Sequence, residues 1–196
     1  MRGIGVLLAA ALVLAGCSGQ STAIAAGAAA TVGDFRISQE ELTSQVSAVL
    51  IAQQRPVDSQ DAALTGKVLS FLITNELVDR LALREGITVT QGEIDLVLLG
   101  YDGDVGGRSE VQRIFAERNV APSQIEAFVK TNLLAKRLSQ VIAPGVKADE
   151  QNAALIQALA QISDAAGTQV SPRYGTWNAE QLSIGPIPDD LSVPAA

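Results

Sequence analysis

A chain of 196 residues, 47% hydrophobic but only 4% aromatic, is long enough to build a core without disulfides and must build it from Leu, Ile, Val and Ala, a mixture that favours helices. Its net charge of −7 argues against nucleic acid as a partner. Histidine is absent, which removes the commonest general base, pH switch and metal ligand together.

Residues 1–16 carry one positive charge, Arg2, and then the apolar run 4–14. This is the layout of an export signal, and it is too short for a membrane span. The following Leu14-Ala15-Gly16-Cys17 resembles the bacterial lipobox, in which small residues admit the peptidase and the cysteine sulfur carries diacylglycerol. Cys17 is the sole cysteine, and lipidation accounts for a lone thiol in an exported chain without a disulfide partner. The alternative is ordinary secretion with a later cut near Ala28-Ala29-Ala30. Each buried methylene contributes about 0.8 kcal/mol, so several acyl chains make a lasting anchor. Residues 17–28 have no pattern that could bury a face and read as a tether with a reach of about 20 Å.

The mature chain reads as mainly α, with a short N-terminal strand and a C-terminal strand or arm. Residues 29–146 form the helical domain, 147–180 a C-terminal helix plus extended segment, and 181–196 a flexible tail. Val32, Phe35 and Ile37 around Gly33-Asp34 fit either a short strand with a turn or simply an apolar lead-in to the first helix. Four Ser/Thr-x-x-Glu/Gln pairs, Ser38/Glu41, Thr90/Glu93, Ser109/Gln112 and Ser123/Glu126, are capping-box signals, and each is expected to open a helix.

Helix one, 39–54, presents Leu42, Val46, Val49 and Leu50 and ends before Pro56. The longest stripe, 62–85, carries Leu64, Val68, Leu69, Leu72, Ile73, Leu77 and Leu81, and Gly86 supplies a left-handed stop. Helix three runs from Thr90 through Ile94, Val97 and Leu98 to Gly100, and helix four covers 109–117 with Val111, Ile114 and Phe115. Helix five, 123–142, carries Ile125, Phe128, Val129, Leu133, Leu134, Leu138 and Val141 ahead of Pro144-Gly145. Helix six, 148–165, carries Leu155, Ile156, Leu159 and Ile162. Residues 169–177 follow as a strand or arm, and the proline-rich remainder is expected to fray.

In order and separation these pieces resemble the N-terminal helical chaperone domain of SurA and PrsA-like extracytoplasmic folding factors. The matching residues are Val32-Gly33-Asp34 with Ile37-Ser38-x-x-Glu41-Leu42, and Val68-Leu69-x-x-Leu72-Ile73-x-x-Glu76-Leu77. Next come Gly86-Ile87-x-Val89-Thr90-x-x-Glu93-Ile94 and Pro122-x-x-Ile125 through Leu133-Leu134. The resemblance covers residues 30–142. It implies a holdase that binds unfolded exported polypeptides through apolar surface, in a groove between the long helices, anchored to the membrane through its lipid. Family members often carry a parvulin-type prolyl isomerase module next, and residues 170–177 look like a late fragment of one. Too little chain remains for the rest, and the usual histidines are missing, so no catalytic residue, cofactor or metal is expected.

Weak, promiscuous binding needs no sharp polar constellation. The rare aromatics are therefore the natural client contacts: Tyr101 in a Gly-rich loop, and Tyr174 and Trp177 in the arm, with Tyr101 and Trp177 the two chosen candidates. Phe71, Phe115 and Phe128 fall at core positions. Asp102-Gly103-Asp104-Val105-Gly106-Gly107 is similar to a calcium loop, but Arg113 stands where a closing carboxylate belongs, so it reads as a solvated turn. Glu40/Glu41 and Asp189/Asp190 read as helix-start and tail charge. The rival readings are a divergent prolyl isomerase and an envelope scaffold with one dedicated partner.

Overall fold

The computed structural model describes residues 24–59 and 61–187. The leader, Cys17 and the first part of the tether therefore lie outside the described residues, as does Asp189/Asp190. The described chain is mostly helical, with six α-helices and a few short strands.

Where the sequence suggests at most one short strand with a turn, strands β1 (Ala28–Val32) and β2 (Phe35–Ser38) form a hairpin, pairing antiparallel with Val32 opposite Phe35 and a bulge between Ala28 and Ala30. The turn needs Gly33, whose φ is +61°, a conformation that a side chain disfavours. Arg80 closes over it, with Asp34 and Glu76 each accepting from the guanidinium at 2.6 Å, and holds the Asp34 carboxyl below its ordinary range. A third strand, β3 (Gln169–Val170), pairs with the other edge of β1.

Helix α1 (Gln39–Ala52) starts where Ser38 accepts from the Glu41 amide at 3.0 Å. Helix α2 (Ala62–Glu85) has the predicted bounds. Its N-cap is Asp61, whose carboxylate accepts from the Leu64 amide at 2.8 Å, a start signal that the Ser/Thr pattern does not include. At its end Gly86 is left-handed and the Ile87 amide returns to the Ala82 carbonyl at 2.8 Å, the bond of a Schellman stop. All seven predicted stripe residues of α2 are buried, joined by Val78 and Ala82.

Helix α3 (Gln91–Val105) has the full capping box between Thr90 and Glu93. The Thr90 amide donates to Glu93, Arg137 donates to the same carboxylate, and together they pull the Glu93 pKa down to about 2. The helix does not stop at Gly100, and here the sequence expectation is corrected. Tyr101 and Asp102 stay helical because Tyr101 packs on Phe115, with ring centroids 5.6 Å apart, and Asp102 pairs with Arg108 at 2.9 Å. Gly106 and Gly107, at φ +91° and +117°, make the stop instead. The supposed turn at Asp102–Val105 is thus the last turn of a helix.

Two expected caps do not form. Helix α4 (Arg108–Glu117) enters through Gly107 with no side-chain cap, because the chain arrives in a backbone conformation only glycine adopts easily. Helix α5 (Ile125–Ile142) follows a 3-10 turn at Pro122–Gln124, and Ser123 donates to Gln45 Oε1 at 3.0 Å instead of capping. Proline at the first position favours that turn. Helix α6 (Ala148–Ala166) completes the set.

Helix α2 is the axis. It packs on α1, α5, α6, β1 and the C-terminal arm, and one aliphatic cluster runs through all of them. A second cluster, Ile94, Leu98, Val111, Phe115, Val120, Ile125 and Val129, sits between α3, α4 and the start of α5. Phe71 packs against both clusters, and Phe128 stands between it and Phe115, 6.1 Å from the first ring and 5.1 Å from the second, so the three phenylalanines are structural. Val141 and Ile156, expected on the apolar faces of their helices, are exposed. No described helix is long and apolar enough to cross a membrane.

Candidate functional site

The α2, α5 and α6 helices share a filled core, so the space between the long helices is occupied by side chains. A groove of about 1040 Å³ opens between the N-terminal half of α2 and the C-terminal arm.

Its floor is Ala62, Ala63, Gly66 and Ser70, small residues that leave the helix surface flat where the later turns of α2 carry Leu, Ile and Val. Its wall is a segment expected to be a flexible tail. Strand β4 (Trp177–Asn178) pairs antiparallel with β5 (Ser183–Ile184), Trp177 opposite Ile184. The wall is fastened to the floor because the Ile184 amide donates to Ser70 Oγ at 3.0 Å, while that hydroxyl donates to the Gly66 carbonyl at 2.8 Å. A Cβ at Gly66 would sit 4.0 Å from Ile184 Cβ, so the approach is close without being obligatory for glycine.

The arm turns through Pro172–Tyr174 and then Gly175 at φ +117°, where an added Cβ would collide with the Gly185 carbonyl. Tyr174 and Arg173 form the far lip of the groove, and Lys67 and Asp61 stand on the helix side. Asp61 is committed to Arg55 at 2.8 Å, and the Leu64 amide and Arg55 lower its pKa. Among the described residues Lys67 and Arg173 form no ion pair. The groove is thus an apolar channel with two cations at its rim, suited to holding chain segments by burial and without a polar set that selects one ligand. Among the described residues no three His, Cys, Asp or Glu side chains come together as a metal site.

The two chosen aromatics do not line this groove. Tyr101 is half-buried against Phe115 in the second cluster. Trp177 is half-buried on the main core, and its indole Nε1 donates to the buried Ser163 Oγ at 2.8 Å, so it anchors the arm to α6. Tyr174, named among the arm aromatics, does reach the groove. Sequence reasoning missed the 183–187 wall and the floor. The available signal was the change within one stripe from Ala62, Ala63 and Gly66 to branched aliphatics, which marks where a helix stops packing on helices.

The fold and the site together define the class as a mainly helical domain built around one long central helix, with an open apolar groove on its arm side. The particular family follows from comparison: the model of the SurA-like N-terminal domain matches residues 1–139, and the chain belongs to that family. This is a chaperone-type, extracytoplasmic family. Comparison with curated proteins and with solved structures gives no match.

Proposed function

We propose that this chain is a membrane-tethered holdase that keeps unfolded exported polypeptides from aggregating, held by lipid on Cys17 and binding its clients in the groove between α2 and the arm. The observation that carries the reading is the groove itself, an apolar channel whose floor is small side chains and whose rim lacks a directional polar set. Such a surface gains free energy from any apolar segment in proportion to the area it covers, and it discriminates little between sequences. The activity involves no bond-making step.

The test uses the chain with Cys17→Ser, which keeps it soluble, and follows light scattering of two unrelated unfolding clients. Suppression of both by the chain, and loss of that suppression in Ala63→Trp, which fills the groove from an exposed floor position, is the expected result. Suppression of neither ends the reading. Tethering is checked separately: in cells the unmodified chain should partition with membranes and take up labelled palmitate, and Cys17→Ser should do neither.

A further inference from the structure

Helix α3 turns a second apolar surface to solvent, on the opposite side from its buried Ile94 and Leu98. Leu96 is 70% and Leu99 65% exposed. Gly92, Leu96, Leu99 and Gly103 follow at spacings of four, three and four, which places them on one face of a helix. At both glycines an added Cβ would meet nothing within 4 Å, so no packing within the described chain calls for them, and each weakens the helix relative to alanine. What they provide is bare backbone at both ends of a leucine pair, so that another helix can approach closely.

The charge around this face is one-sided. Among its fifteen residues α3 has Glu93, Asp95, Asp102 and Asp104 and no Lys or Arg. Glu93 is answered by Arg137 and Asp102 by Arg108. Asp95 accepts only from the neutral Gln91 amide at 3.0 Å, and Asp104 is in no ion pair among the described residues. By the helical repeat, Asp95 lies on one flank of the leucine face and Asp104 on the other. Two such faces brought together would oppose their aspartates, which disfavours a second copy of the chain.

We propose that this face of α3 docks a basic amphipathic helix of another polypeptide, one whose apolar residues sit on Leu96 and Leu99 between Gly92 and Gly103 and whose Lys or Arg side chains reach Asp95 and Asp104. The surface is separate from the groove, so the proposal stands or falls without the holdase reading. The complementary charge sets the choice of partner and the salt dependence, and the leucines supply the buried contact.

Fluorescence anisotropy of two labelled helical peptides tests it, both with paired leucines one turn apart, one flanked by lysines and the other by glutamates. The lysine peptide should bind the Cys17→Ser chain, weaken as salt is raised, and lose about tenfold or more in affinity with Leu96→Ser/Leu99→Ser. Asp95→Asn/Asp104→Asn should weaken binding less and flatten the salt dependence, while Ala63→Trp in the groove should leave it unchanged. Circular dichroism of the variants controls for loss of α3. Equal binding of the glutamate peptide, unchanged binding by the leucine variant, or a concentration-dependent dimer that the leucine variant abolishes would each overturn the proposal.

Discussion

The two apolar clusters of this protein differ in how completely they close. The main one is aliphatic, is wrapped by α1, α2, α5, α6, the hairpin and β3, and leaves almost nothing of its central residues accessible. The second is smaller, leans on Phe115 and Phe128, and is covered by α3 and α4, each with few buried residues. Helix α3 buries one side and shows leucines on the other. A region that satisfies its apolar surface internally specifies the fold, whereas a thin layer with apolar residues left outside is available for binding and opens more easily.

Substitutions in the two regions should therefore differ in kind as well as size. Leu77→Ala, at the centre of the closed cluster, should cost about 3 kcal/mol and lower the urea midpoint of the whole chain. A local rather than global loss would mean that α2 is not the axis. Val111→Ala, in the second cluster, should cost roughly 1.5 kcal/mol from two lost methylenes. Its mark should be faster amide exchange confined to α3 and α4. Spread of that exchange into α6 would show the two clusters to be one cooperative unit.

Asp61→Ala removes the cap of α2 at the edge of the groove and should cost about 1 kcal/mol in thermal or urea unfolding. Glu93 sharpens the comparison through pH. Its folded pKa of about 2 lies below the ordinary 4.5, so it stabilises the fold above pH 4.5, and that contribution is lost as pH falls from there towards 2. The melting temperatures of the native chain and Glu93→Gln should accordingly differ near neutral pH, begin to approach each other below pH 4.5, and converge only as pH nears 2. A gap that stays constant would remove the ionised carboxylate from the account of the α3 start. Leu96→Ser should shift stability by less than about 0.5 kcal/mol, as expected for a position whose side chain touches little of its own chain.

Much of the helical scaffold was legible in the sequence because helix formation is decided locally. The stripe from Leu64 to Leu81 and the Gly86 stop defined α2, and the Thr90/Glu93 pair defined the start of α3. Where a tertiary contact competed with the local signal, the contact won. Tyr101 on Phe115 and Asp102 on Arg108 carry α3 past Gly100, and the turn at Pro122 displaces the Ser123 cap. The candidate site was less legible still. Its floor is a set of small residues with no chemical signature, and its wall reads as coil.

Composition, periodicity and caps thus determine a mainly helical domain around one long helix, and the leader with Cys17 sets the expectation of export and lipid anchoring, since these depend on neighbours along the chain. The tertiary structure decides that an open groove lies between α2 and the arm, that Trp177 serves as an anchor, and that Leu96 and Leu99 face outward. Those outcomes depend on residues far apart in sequence, Ser70 with Ile184 and Ser163 with Trp177, whose meeting no local pattern encodes.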